Sequence, residues 1–550
     1  MKTASILAAV LFVTFTPCAA IVSSTIFGSI LYVDDDAPGD PGPGDPLVSD
    51  PLENGSMLRP FDAIQEAVDA AATGDEILIK DGLYTGEGNR AVGLDGINIA
   101  IRSLNGPVNC IIDAGDADRV FLFEASNGPD TILEGLLIRN GKADQGAAIS
   151  CSNDSSPTIT GNIFENCWAT EHGGAISCSS GATPLIENNL FTGNNAEVNG
   201  GCISCDAAAP EILNNRFSGN TATRAAAIHI RNGSAPVIID NVIINNQTTA
   251  NGAIYLNEST ATIVNCLFAG HQASAIGGAI YCFDSTLTLD FVTIAGNSAF
   301  YGGAIGSRSS TITIANSILW GNTSFEIWVS QGSDPMISWS DVRWGYVGEG
   351  NIDTDPLFVS GGGIDYCLSQ VVAGQISDSP CVDAGSMSAA LSCITLPYGE
   401  RCMDLMNTRS DGGNDVGRVD MGYHRPASFP VSAGLACWPG SGTLPFTCTM
   451  LANLGSGSGS QTRRVAGRID VDLAGGGFIA NWRTGWTNLS PGEVFSTSWN
   501  QQLPALPSLV GVNCFLLMAE DVTPPPYNQP PYPPAGQTAT ASCAVTGVAP

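Results

Sequence analysis

Between residues 131 and 322 the chain returns repeatedly to one arrangement: an apolar triplet, an Asn turn, an apolar pair, a Gly-Asn turn, then Gly-Gly-Ala-Ile. Successive pieces read PTITGNIFENC, PLIENNLFTGN, PEILNNRFSGN, PVIIDNVIINN, ATIVNCLFAGH, LTLDFVTIAGN and ITIANSILWGN. The position of Asn162 recurs at Asn189, Asn215, Asn241, Cys266, Val292 and Ser317, a period of 25 to 27 residues. Each unit holds three short runs with period-two alternation, which is a strand signature. The inward columns are Ile159, Ile186, Ile212, Ile238, Ile263, Leu289 and Ile314 in the first run, and Phe164, Phe191, Phe217, Ile243, Phe268, Ile294 and Leu319 in the second. The third is Ile149, Ile176, Ile203, Ile228, Ile254, Ile280 and Ile305. No single unit can bury such faces, so the units must stack about 4.8 Å apart into a closed prism.

The strands must be parallel, since every coil travels the same way, and crossovers of this kind are right-handed. No unit carries a helix, as a leucine-rich horseshoe requires, and none is a four-strand blade of about 40 residues. The pattern therefore predicts an all-β chain built on a right-handed parallel β-helix. Asn162, Asn189, Asn215 and Asn241 are placed to form an internal amide ladder, and paired glycines such as Gly173 and Gly174 to relieve tight turns. Cys151, Cys178, Cys205 and Cys282 share a column with Ile230 and Leu256. That exchange points to buried thiols acting as small hydrophobes rather than to a metal cluster, although a bridge from Cys151 to Cys178 stays open.

Residues 59–86, RPFDAIQEAVDAAATGDEILIKDGLYTG, resemble the start of many exported β-helix proteins of the pectin-lyase-like superfamily. The resemblance implies a short amphipathic helix capping the first coil; independently, Phe61, Ile64, Ala67 and Val68 form one apolar stripe, with Gly74 to end it. The β-helix with its cap is expected over 59–426, after an Asp/Pro/Gly-rich lead-in over 21–58. From about 335 the repeat degrades, and NIDTDPLFVSGGGIDYCLSQ, SDSPCVDAG and TRSDGGNDVGRVDMGYHRP resemble the terminal coils of Asn- and Gly-rich members of that superfamily. That likeness gives Asp383 and Asp420 turn-forming roles and makes Cys367–Cys381 and Cys393–Cys402 candidate disulfides. After Pro426 the period is gone, and alternation in RRVAGRIDVDLAGG, FIANWRTGW and CFLLMAEDV predicts a β-sandwich over 427–550.

Composition then narrows the partners. There are 21 Lys plus Arg against 52 Asp plus Glu, a formal charge of −31, which argues against nucleic acid and anionic membranes. The first 20 residues have a lysine at Lys2, an apolar run from Ile6 to Phe15 and small residues near Ala20, the pattern of a cleaved secretory signal. Cys18 raises a lipoprotein reading, which Phe15, Thr16 and Pro17 match poorly. No later segment is apolar enough over a sufficient length to span a bilayer, so a secreted or cell-surface location is expected.

Chemistry is sparse. Asp34, Asp35 and Asp36 could supply oxygens to calcium, though the spacing of a defined calcium loop is absent. Trp320, Trp328, Trp339 and Trp344 cluster in sequence and could bind sugar rings, or equally pack between coils. Glu171 with His172, and His229 with Arg231, read as isolated outward polar residues, and no catalytic set is assigned. Polysaccharide-cleaving members of the superfamily carry acidic clusters with Arg or Lys in a cleft; here only three lysines are present and the loops are short. The expected function is an exported, non-catalytic structural or binding protein whose partner is a polysaccharide or cell-surface component; the alternative is a polysaccharide lyase or glycoside hydrolase.

Overall fold

The computed structural model describes residues 28–36, 52–124, 127–361, 364–396 and 399–426, together with seven strands between 445 and 545. Residues 1–20, where a signal is expected, lie outside the described residues. Twelve parallel strands, from Ile30–Val33 to Met336–Ser338, form the first sheet; eleven, from Gly82–Tyr84 to Asp341–Val342, the second; ten, from Val92–Gly93 to Ile327–Ser330, the third. Strand order follows the chain coil by coil in each of these three sheets.

The three expected columns are in register. Ile159 pairs with Ile186, Phe164 with Phe191 and Ile176 with Ile203, and each continues through the later coils. Their side chains are fully buried in one continuous core. The first strand, Ile30–Val33, comes from the lead-in and pairs with Glu76–Ile79. The cap helix spans Ile64–Ala70 and buries Ile64, Ala67 and Val68. Phe61 lies just before it, bridged to Val33.

A fourth sheet escaped the periodicity. Six strands, from Lys142–Gln145 to Gln272–Ala273, add a side to the prism. The inward residues Ala169, Ala196 and Ala222 are small, so no large apolar column announces them.

Two amide ladders run up the interior. Asn162 Nδ2 donates to Asn189 Oδ1 at 3.2 Å, Asn189 to Asn215 and Asn215 to Asn241 at 3.1 Å each. A second ladder links Asn194, Asn220 and Asn246, passes to the ring of His271, and resumes at Asn297 and Asn322. Each rung also accepts a backbone N–H at a turn, as Asn162 Oδ1 does from Leu136 at 3.0 Å. Buried backbone groups at turns need such partners. Cys151, Cys178, Cys205 and Cys282 are buried thiols, and Cys151 and Cys178 do not bridge. Burial raises the Cys282 thiol above its ordinary range.

Beyond Val342 the chain adds no further strand to the four sheets. It returns along the outside instead: Ala389, Ile394, Met403, Met406 and Val419 cover Leu213, Ile239 and Phe291, while Tyr423 covers Leu267 and Ala269. The reason lies in one outward position of the first sheet, which is polar at Thr160 and Glu187 but apolar at Leu213, Ile239 and Val264. The returning segment is pinned by an ion pair of Arg401 with Asp240. His424 adds contacts, its Nε2 lying 2.9 Å from Asp415 Oδ2 and its backbone N–H donating to Asn265 Oδ1. Asp420 accepts from the Asp383 N–H at 2.7 Å, and Asp383 from the Arg418 N–H at 3.1 Å, in turn-forming roles.

The Cys393–Cys402 disulfide is present. The expected Cys367–Cys381 bridge is not formed; the Cys381 thiol instead donates to Asp341 Oδ2, 3.2 Å from its Sγ, at the last strand of the second sheet. In the C-terminal part, Pro445–Asn453 pairs antiparallel with Val494–Gln502 and Ser542–Val545, and Arg463–Leu473 with Gly477–Arg483, Thr487–Leu489 and Leu509–Ala519. Strand pairing here is that of two antiparallel sheets.

Candidate functional site

The third and fourth sheets meet at the Gly-Gly turns. Gly173 has φ +66°, and a Cβ on Gly174 would lie 2.1 Å from the Gly201 carbonyl oxygen, so the turns pack backbone on backbone. The end of the fourth sheet, carrying His172, Asn199 and Arg224, is thereby folded against the outer face of the third. On that face one column reads Ser177, Ser204, His229, Tyr255, Tyr281, Gly306 and Trp328.

Residues far apart in sequence converge in this corner. His172 Nε2 lies 3.0 Å from Arg231 Nη1, and Arg231 Nη2 donates to Asp206 Oδ2 at 2.6 Å. Arginine can only donate, so Nε2 accepts from it, while Nδ1 lies 3.4 Å from the Asn199 side-chain nitrogen. The ring of His172 lies 5.7 Å from that of His229, which continues to Tyr255 at 5.5 Å and Tyr281 at 5.3 Å. Burial, then the charges of His172 and Arg231, push the His229 imidazole down to about 3. Burial and Arg231 also lower His172. Both rings are nearly enclosed, at 9% and 3% exposure.

Exposure rises toward the last coils. Phe300 and Tyr301 are 68% and 43% exposed and meet edge to face, and Tyr301 stacks on Trp328 with centroids 5.5 Å apart. On the next coil Ser324 Oγ donates to the Phe300 carbonyl at 3.0 Å, next to Phe325, which meets Trp344 edge to face at 6.0 Å. Arg343 lies over both Trp320 and Trp344. The four tryptophans thus take three different environments. Trp328 belongs to the outer column of the third sheet; Trp320 and Trp344 share Arg343; Trp339 lies under Arg418 against the returning segment. Phe300, Tyr301 and Phe325 were not anticipated, although the pair at 300 and 301 immediately precedes a Gly-Gly turn.

At the opposite end, Asp34, Asp35 and Asp36 each offer an oxygen within 4.8 Å of the others, a set able to chelate a divalent cation such as calcium. Asp34 pairs with Lys80 at 2.8 Å, and Asp35 accepts from the Leu83 N–H at 2.7 Å. Burial raises Asp35, and its hydrogen bond with Asp34 raises Asp36. A second acidic set, Glu53, Asp62 and Glu66, has the same mutual spacing.

With coils, ladders and corner in place, the family comparison agrees: the model of the right handed beta helix region matches residues 74–222 and 226–343. These stretches are a right-handed β-helix region. That is the fold implied by the resemblance to the pectin-lyase-like superfamily, which includes carbohydrate-active lyases and hydrolases. Among solved structures, pectate lyase Pel9A is similar at 13% identity over 72% of this chain and 96% of its own, with a TM-score of 0.29. The PL6 family alginate lyase AlyGC is similar at 10% identity over 65% of this chain and 58% of its own, with a TM-score of 0.26. No curated protein sequence matches the chain. Among the described residues no helix of the β-helix region or its flanks is long and apolar enough to cross a membrane.

Proposed function

We propose that the chain is an exported, non-catalytic β-helix protein that holds a polysaccharide against the aromatic end of its corner, with Trp328 and Trp344 among the contact residues. The observation that carries this reading is the exposed group Phe300, Tyr301, Phe325 and Trp344 beside Trp328, aromatic rings gathered on neighbouring coils. Aromatic faces and edges pack on the apolar faces of sugar rings, and rings held by a rigid solenoid lose little freedom on binding. The charge of −31 favours a neutral glycan over an acidic one. On this reading residues 1–20 are a cleaved export signal, and residues 427–550 form a β-sandwich that attaches the rod at a surface. Affinity electrophoresis of the wild type and of the Tyr301→Ala and Trp328→Ala variants through gels containing neutral polysaccharides tests it. The wild type should be retarded by at least one glycan, and each variant should lose about tenfold in affinity. Equal mobility of all three proteins in every gel would reject the site.

One observation favours a second reading, cleavage of the bound polymer: the convergence of His172, Arg231 and Asp206 in the same corner. A lyase needs a base beside a cation that neutralises a uronate. Unsaturated products formed by the wild type and lost in His172→Ala would establish that reading.

A further inference from the structure

The cap of the solenoid gathers three carboxylates. Glu53 comes from the lead-in, Asp62 lies two residues before the cap helix and Glu66 in its first turn, and their oxygens are within 4.8 Å of one another. Asp62 is only 8% exposed, and both of its oxygens are buried without a hydrogen-bond partner; so is Glu66 Oε2. The cations nearest in sequence are turned elsewhere. Arg59 Nη1 donates to the Leu52 carbonyl at 3.2 Å, and Lys80 Nζ to Asp34 at 2.8 Å. Among the described residues no lysine or arginine forms an ion pair with Asp62 or Glu66.

A buried carboxylate with no donor is costly, and Asp62 with Glu66 beside it calls for a compensating positive charge. We propose that Glu53, Asp62 and Glu66 bind a hard divalent cation, calcium, which clamps the lead-in to the cap helix. All the donors are carboxylate oxygens, the set hard cations prefer, and an irregular segment joined to one helical turn suits the adaptable coordination of calcium better than the strict octahedron of magnesium. The clamp has a structural consequence. Ile64, Ala67 and Val68 of the helix close the first coil, so the ion fastens the plug of the whole core.

The test uses the full mature chain stripped with EDTA and titrated with calcium chloride, read by calorimetry and thermal unfolding. Saturating calcium should raise the melting temperature of the wild type by about 5 °C. Asp62→Asn, relieved of the buried charge, should melt higher than the wild type in EDTA and show no calcium shift; Glu66→Gln should behave alike and serves if the first variant does not fold. The proposal is overturned if the wild type takes up no calcium. It is also overturned if the shift persists in Asp62→Asn and disappears in Asp36→Asn, which places the ion at the other cluster. A wild type whose stability rises between pH 7 and 5 with no cation effect would show two carboxyls sharing a proton instead.

Discussion

Replacing Asn215 with alanine removes one rung of the first ladder, and the structure says what is lost. Asn215 Oδ1 accepts from the Asn189 backbone N–H at 2.9 Å and from Asn189 Nδ2 at 3.1 Å. Its own Nδ2 donates to the Ile186 carbonyl at 2.8 Å and to Asn241 Oδ1 at 3.1 Å. The Asn189 N–H and the Ile186 carbonyl are then left in a dry interior, each costing about 1–3 kcal/mol, so the variant should lose about 4 kcal/mol. Serine should cost about half as much. In the same column Ser317 Oγ already accepts the Val292 N–H at 3.0 Å and donates to the Ala315 carbonyl at 2.6 Å, keeping the turn satisfied without the amide. Urea unfolding followed by far-ultraviolet circular dichroism gives both numbers from the midpoints at unchanged slope. A loss below about 1 kcal/mol for alanine, or equal losses for serine and alanine, would refute the assignment of the ladder as a backbone-satisfying device.

Three further outcomes follow from the same structure. Gly174→Ala forces a Cβ to within 2.1 Å of the Gly201 carbonyl oxygen, so the coils must part; a loss of about 2–4 kcal/mol in urea unfolding is expected, and a neutral result would contradict the turn geometry. His271 interrupts the second ladder, its Nδ1 accepting from the Asn246 N–H at 3.1 Å, and burial lowers the ring from 6.5 to about 4. The unfolded chain therefore binds the extra proton first, so stability falls as pH drops from about 6.5 toward 4, by up to about 3 kcal/mol. His271→Asn should remove that share of the dependence and leave the part owed to His172 and His229, and parallel pH profiles of the two proteins would sink the idea. Arg401→Met leaves buried Asp240 without its ion pair, which should loosen the returning segment by about 3 kcal/mol, seen as faster limited proteolysis within 389–426.

Much of the scaffold was legible because large apolar side chains recur at a fixed period: Ile159, Phe164 and Ile176 each head a column that the structure keeps in register. The fourth sheet was not, because Ala169 and Ala196 carry no such signal. The return of the chain over Leu213 and Ile239 was written in the change from Glu187 to Leu213 at one outward position, a signal visible only once the columns are aligned face by face. The same limit hid the corner. His172 and Arg231 are 59 residues apart and belong to different sheets, so their 3.0 Å contact depends on how two strand registers meet at a Gly-Gly turn. Trp328 could be singled out by residue type, but its partner Tyr301 enters through a turn rather than a strand repeat.

The most direct test of the account is to incubate the purified chain with a panel of neutral and acidic polysaccharides, measuring protein co-sedimenting with the polymer together with new reducing and unsaturated ends. The account predicts retention on a neutral glycan, weakened by Tyr301→Ala and Trp328→Ala, with no new ends. New ends that vanish in His172→Ala, or retention unchanged in both aromatic variants, would contradict it.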